Sequence, residues 1–203
     1  KTLKKEMTEV SRKEQYEKAS WLRDQISSLE RIIEHSFLNT QPAPLRSQPD
    51  YHAIEKELRK VLHTRKRISR MEAYDISNIQ GHQSTGSMVV FIEGKPSKKH
   101  YRKFKIKITG KPNDFAMMKE LITRRLSHKD WSYPDVMLID GGKGQLSSAM
   151  EAIAEQKQLG KFKVVALAKR NNELFFPNNP EPALLKDMGA GLEHMLLHIR
   201  DEA

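Results

Sequence analysis

Two short apolar stretches, each ending in an aspartate, constrain this chain more than anything else in it. They are Met71–Ser77 (MEAYDIS), which carries Asp75, and Asp135–Gly142 (DVMLIDGG), which carries Asp140. Both read as buried strands that place an acid where the strand gives out. An ionised carboxylate in apolar surroundings is expensive unless something pairs with it. Two such acids converging on one place point to a divalent metal site. The competing reading is that each Asp forms a turn or a cap, the commoner use of that residue at a strand end.

The segments around them supply a fold. Asp50 is placed to N-cap a helix over Tyr51–Leu62, with Ile54, Leu58, Val61 and Leu62 inward. The basic run Thr64–Arg70 leads into the first strand. Asn78-Ile79-Gln80-Gly81 turns the chain, and Ser87–Ile92 is almost wholly apolar, as a central strand should be. Glu93-Gly94-Lys95-Pro96 marks a second turn. Tyr101–Ile108 is a third strand on which Lys103, Lys105 and Lys107 share a face. Seven Lys and Arg and no acid lie between Lys95 and Lys107. That face suits both an edge guarded by lysines and one that tracks phosphates. Short connections make these three strands antiparallel.

The pattern then changes. Asp114–Leu126 reads as a helix with Phe115, Met118, Leu121, Ile122 and Arg125 at helical spacing. A buried strand at Asp135–Asp140, a helix at Gln145–Gln158 and a buried strand at Lys163–Ala168 follow, the last running into Lys169-Arg170. Asn171–Pro182 reads as a long loop, and Leu192–Ala203 as a final helix with Leu192, Met195, Leu196 and Ile199 inward. The order βββαβαβα is that of α/β, ribonuclease H-like mixed sheets, a meander followed by right-handed crossovers. Asp75 and Asp140 fall at the ends of its first and fourth strands.

Residues 1–38 read as a helical hairpin. Ala19, Leu22, Ile26, Leu29 and Ile33 form a coiled-coil-like seam, Met7 and Val10 a shorter stripe, and Ser11–Gln15 a polar turn. Fewer than about 40 residues seldom fold on their own core, so the stripe asks for a partner. Asn39–Pro49, with three prolines and no periodicity, is a linker and the domain boundary.

Composition narrows the class. The net charge of +10 and pI near 9.7 favour a polyanionic partner. The absence of cysteine excludes disulfides, thiolate metal sites and cysteine nucleophiles. No apolar run approaches the ~20 residues of a membrane span, and the N-terminus lacks the apolar core of a signal peptide, so a cytoplasmic protein is expected. Gly141-Gly142-Lys143-Gly144 is not a nucleotide-binding loop. Met137 stands where such a loop needs its first Gly, and Gly144 replaces its hydroxyl residue.

Two resemblances carry the reading further. MTEVSRKEQYEKASWLRDQISSLERII resembles the UVR motif of bacterial excision-repair proteins, matching at Met7, Tyr16, Glu17, Lys18, Ala19 and Leu22–Ile26. It departs at Val10-Ser11, where two alanines are usual, and at Tyr16, where Phe is. The motif pairs with its counterpart in UvrB, so the resemblance implies UvrB as partner and Tyr16, Ala19, Leu22, Arg23 and Ile26 as its contacts. YDISNIQG, SMVVF, YRKFKIK, LIDGGKGQL, LAKR and HIRDEA, in that order, resemble the C-terminal endonuclease half of the UvrC family. That resemblance implies a ribonuclease H-like fold, Mg²⁺ or Mn²⁺ as cofactor, and incision of damaged double-stranded DNA on the 5′ side of a lesion.

The family triad is Asp, Asp, His. Its acids map to Asp75 and Asp140, as catalytic and metal-holding residues, and its His directly follows the RDEA segment, beyond Ala203. His194 and His198, at i and i+4 on the last helix, are placed in that role by no motif. Asp114 matches a further acidic position, with helix capping as its alternative. Asn78, Gln80 and Gln145 flank the acids as orienting or turn residues. Lys143, Lys169 and Arg170 join Lys103, Lys105 and Lys107 as DNA-backbone contacts. The family's N-terminal nuclease, cysteine-rich and helix-hairpin-helix regions have no counterpart here. The rival reading is a ribonuclease H-like adaptor that binds DNA and a partner without cutting.

Overall fold

In a computed structural model of the chain, the described residues are Val10, Leu22, 50–77, 84–108 and 113–203. The chain divides into two units, Lys1–Gln48 and Pro49–Ala203. In the first, Val10 and Leu22 are helical and buried. Tyr16, Ala19, Arg23 and Ile26 lie outside the described residues, as do Asn78 and Gln80.

The second unit opens with α1 (Tyr51–Val61), capped by the Asp50 side chain, which accepts from the His52 N–H. Strands β1 (Arg70–Ser77), β2 (Thr85–Ile92), β3 (Lys95–Pro96) and β4 (Arg102–Lys105) follow. Then come α2 (Asp114–Ser127), β5 (Val136–Asp140), α3 (Lys143–Glu155) and β6 (Lys163–Ala168). The unit ends with β7 (Glu173–Phe176), β8 (Asn179–Leu184) and α4 (Ala190–Glu202). One eight-stranded sheet runs β3-β2-β1-β5-β6-β7-β8, with β4 also on β2. β1, β2 and β4 pair antiparallel, whereas β1, β5 and β6 pair parallel, as the connection lengths require.

Three expectations change. The third strand is shorter than Tyr101–Ile108: a two-residue strand and a short 3₁₀ turn (Lys98–His100) precede Arg102–Lys105. The Glu120 carboxylate accepts from the Lys107 and Ile108 N–H groups, which takes Lys107 out of the ladder. The loop over Asn171–Pro182 is largely the hairpin β7–β8. Phe115, read as inward, is 53% exposed.

The sheet has helices on both faces, each over its own core. Tyr74, Met88, Val90, Met137 and Ile139 meet α2 and α3. Met71, Ala73, Val89, Phe91, Leu138 and Leu167 meet α1 and α4, where Leu192, Met195, Leu196 and Ile199 are all buried. The alternation within β1 and β5 therefore decides the faces of their acids: Asp75 and Asp140 belong to the α4 side.

Candidate active site at the carboxyl edge of the sheet

The pairing of β1 with β5 runs from Met71↔Val136 to Tyr74↔Ile139. The next residues on each strand are Asp75 and Asp140, so parallel register sets the two carboxylates side by side on one face. The row continues in both directions. Asp140 pairs with Leu167, Asp75 with Ser87, and Ser87 with Lys103. Lys103 and Lys105 therefore share the face of the acids, whereas Phe104 turns into the opposite core.

Asp140 is 6% exposed, and Lys169 Nζ lies 2.7 Å from its Oδ2. Burial pushes the Asp140 carboxyl above the usual carboxylate range. The Lys169 ammonium opposes that shift, and the Asp75 charge adds to it. Lys169 is raised in turn, chiefly by its bond to Asp140. Asp75 is half-buried, and its Oδ2 accepts from Ser77 Oγ at 3.3 Å.

The chain leaves β5 through a tight turn. Gly141 has φ +150°, and a Cβ there would strike the Gln145 side chain. Gln145 Oε1 accepts from the Gly142 N–H at 2.9 Å, closing the start of α3. The amide read as an orienting or turn residue makes a capping bond through its oxygen. Asp114 is the first residue of α2, but the cap is Asn113, whose side chain accepts from the Ala116 N–H. Lys103, Lys105, Lys107, Lys143, Lys169 and Arg170 are all exposed.

The far end of α4 meets the same row. Ser87 Oγ donates to the Ala203 carbonyl at 2.6 Å, and Tyr101 OH donates to Glu202 at 3.1 Å. Neither Ser87 nor this contact was foreseen; the serine's place follows only from the β1–β2 register. His198 sits edge-on to Phe91. Among the described residues no group of three or more His, Asp or Glu side chains is gathered for a metal ion, so Asp114, His194 and His198 do not complete a triad with the two acids. What Asp75 and Asp140 present is a pair of hard oxygen donors, one of them desolvated and already drawing a cation. That donor set fits Mg²⁺ or Mn²⁺.

Sequence reasoning also missed a buried cluster behind the site. Glu72, on the opposite face of β1, is fully buried. It accepts from Arg125 (Nε 2.8 Å), from Arg70 (2.7 Å) and from the Tyr74 hydroxyl. Arg125 also donates to the Ser132 carbonyl at 2.7 Å and lies over the Trp131 ring. A glutamate at an inward position of an apolar strand was the available signal.

The chain matches a family model described as the UvrC RNAse H endonuclease domain over residues 59–203, and the UvrB/uvrC motif over residues 1–32. It is 43% identical over 155 residues to the UvrABC system protein C of Porphyromonas gingivalis, covering 75% of this chain and 25% of that protein. Against the Dictyoglomus thermophilum protein of the same name it is 46% identical over 176 residues, covering 86% and 29%. The chain thus spans between a quarter and a third of the length of these relatives. Among solved structures, a Ciona intestinalis Endonuclease V in complex with a 24mer DNA aligns with TM-score 0.37 and 19% identity, over 59% of this chain and 56% of that one. With its two matched segments covering most of its length, the chain belongs to the UvrC family.

Proposed function

We propose that Pro49–Ala203 is a metal-dependent endonuclease that cuts the damaged strand on the 5′ side of a lesion in nucleotide excision repair, and that the N-terminal hairpin docks on UvrB. One observation carries this reading: Asp75 and Asp140 stand side by side at the carboxyl ends of two central parallel strands, within a segment matched by an endonuclease family. Asp75 and Asp140 would hold the cation. What a bound Mg²⁺ or Mn²⁺ supplies is activation of water and relief of negative charge at phosphorus. Lys169, paired with Asp140 Oδ2 yet largely exposed, would be free to face a DNA phosphate wherever Asp140 served as a metal ligand instead. Lys103 and Lys105, on the same face, and Lys107, Lys143 and Arg170 add sequence-independent, salt-sensitive affinity. The products are a 3′-hydroxyl and a 5′-phosphate.

The test is Mn²⁺-dependent nicking of damaged, UvrB-loaded duplex by the full-length protein. Asp75→Asn and Asp140→Asn are each expected to lower the rate at least about 100-fold while DNA binding persists. Equal cutting by Asp140→Asn would refute the site. Binding without any cutting by the wild type would favour the adaptor reading.

A further inference from the structure

Phe115 occupies a position that neither the core nor the two carboxylates explain. It is the only aromatic among the large apolar side chains exposed in the described residues, at 53%. Its ring rests on Gly144, four residues past Asp140, and a Cβ at Gly144 would collide with ring atoms Cε1 and Cζ. The seat is therefore a patch of bare backbone in the first turn of α3, next to the exposed Lys143. One edge of the ring is held by that seat while the rest stays open to solvent, at the same end of the sheet as Asp140. Two residues before Phe115, Asn113 caps α2 by accepting from the Ala116 N–H, so the ring is carried on the first turn of a capped helix. The arrangement is an exposed aromatic ring seated on the first turn of α3, which begins directly after the turn that leaves Asp140; α2 and α3 cover the sheet face opposite the two carboxylates.

We infer that Phe115 stacks against a nucleobase of the bound DNA close to the cleaved phosphodiester, and holds that nucleotide out of its regular stack. Bases stack on aromatic rings whatever their sequence, as an enzyme acting beside diverse lesions requires. Gly144 then serves the contact by letting the ring lie low against α3. The inference rests on the proposed endonuclease reading.

The test uses the full-length protein and DNA carrying 2-aminopurine at positions flanking the cut, with affinity measured across a salt series. Phe115→Ala is expected to weaken DNA binding about 5- to 100-fold. The slope of log affinity against log salt should stay unchanged, since no phosphate contact is lost. The rise in 2-aminopurine emission on binding should fall with it. Phe115→Tyr and Phe115→Trp should restore both signals; Phe115→Leu should not. Restoration by leucine, unaltered binding by the alanine variant, or a melting temperature of the free protein that falls in step with affinity would each overturn the inference and leave Phe115 a packing residue. A wild type that binds and cuts DNA alongside an unaffected Phe115→Ala sinks this inference alone. A wild type that binds no DNA sinks both readings.

Discussion

Replacing Asp140 with asparagine should raise the melting temperature of the free protein. Burial lifts the proton affinity of this carboxyl, so its contribution to stability is fully present only below the ordinary carboxylate range. That contribution is lost as pH rises through the raised value. At neutral pH the ionised Asp140 is thus a net cost, and an uncharged isostere removes it. Lys169, with 66% of its side chain exposed, regains water when its partner goes. A gain of about 1 kcal/mol in calorimetric unfolding is expected. Lys169→Met acts on the same pair from the other side. It should tighten Mn²⁺ binding to the free protein by titration calorimetry, because no ammonium has to leave Asp140 Oδ2. It should also reduce the salt slope of DNA binding by about one. Looser Mn²⁺ binding would mean that the lysine assists the cation. The two aspartates were readable because each ends an apolar run. Ser87 and Lys103 were not recognisable as their neighbours, since a row across strands depends on register and the sequence does not display register directly.

Among the elements, β1 carries two acids on two faces: Asp75 stands beside Asp140 on one, and Glu72 is sunk in the opposite core. Arg125→Met leaves Glu72 with Arg70 and the Tyr74 hydroxyl, but takes away its fully buried cation. A loss of about 3 kcal/mol in denaturant unfolding is expected. A change under about 1 kcal/mol would mean that Arg70 alone suffices. Helix α2 was read correctly in place, and Arg125 was set at an inward position there, but periodicity named no partner. The same periodicity turned Phe115 inward because it registers hydrophobicity and is blind to where the neighbouring helix begins. The hairpin β7–β8 was hidden for another reason. Asn178, Asn179, Pro180 and Pro182 are turn and edge residues, and here the prolines lie in a terminal strand paired on one side only, where a missing N–H is tolerated.

At the scale of the whole molecule, the antiparallel meander and the parallel crossovers were recoverable because connection length nearly dictates strand direction. Which helices cover which face was not, since it depends on handedness and packing acting together. The assembled unit also encloses phenols that depend on it. Tyr51 OH donates to the Ile68 carbonyl at 2.6 Å, and burial, reinforced by Glu55, pushes the phenol from 10.0 up to about 12. Its stabilising contribution is complete below pH 10 and is lost as pH climbs towards 12. Urea unfolding followed from pH 9 to about 12 should show that decline, and Tyr51→Phe should flatten part of it; an unchanged slope would place the titration elsewhere. The buried Glu72 has a last consequence for assembly. If β1 pairs one residue out of step, Glu72 turns into the α4 core, away from Arg125, at the same moment that Asp75 leaves the side of Asp140. The strand thus audits its own alignment: a misthreaded copy exposes its error by failing to hold together, and does not linger as a well-folded impostor.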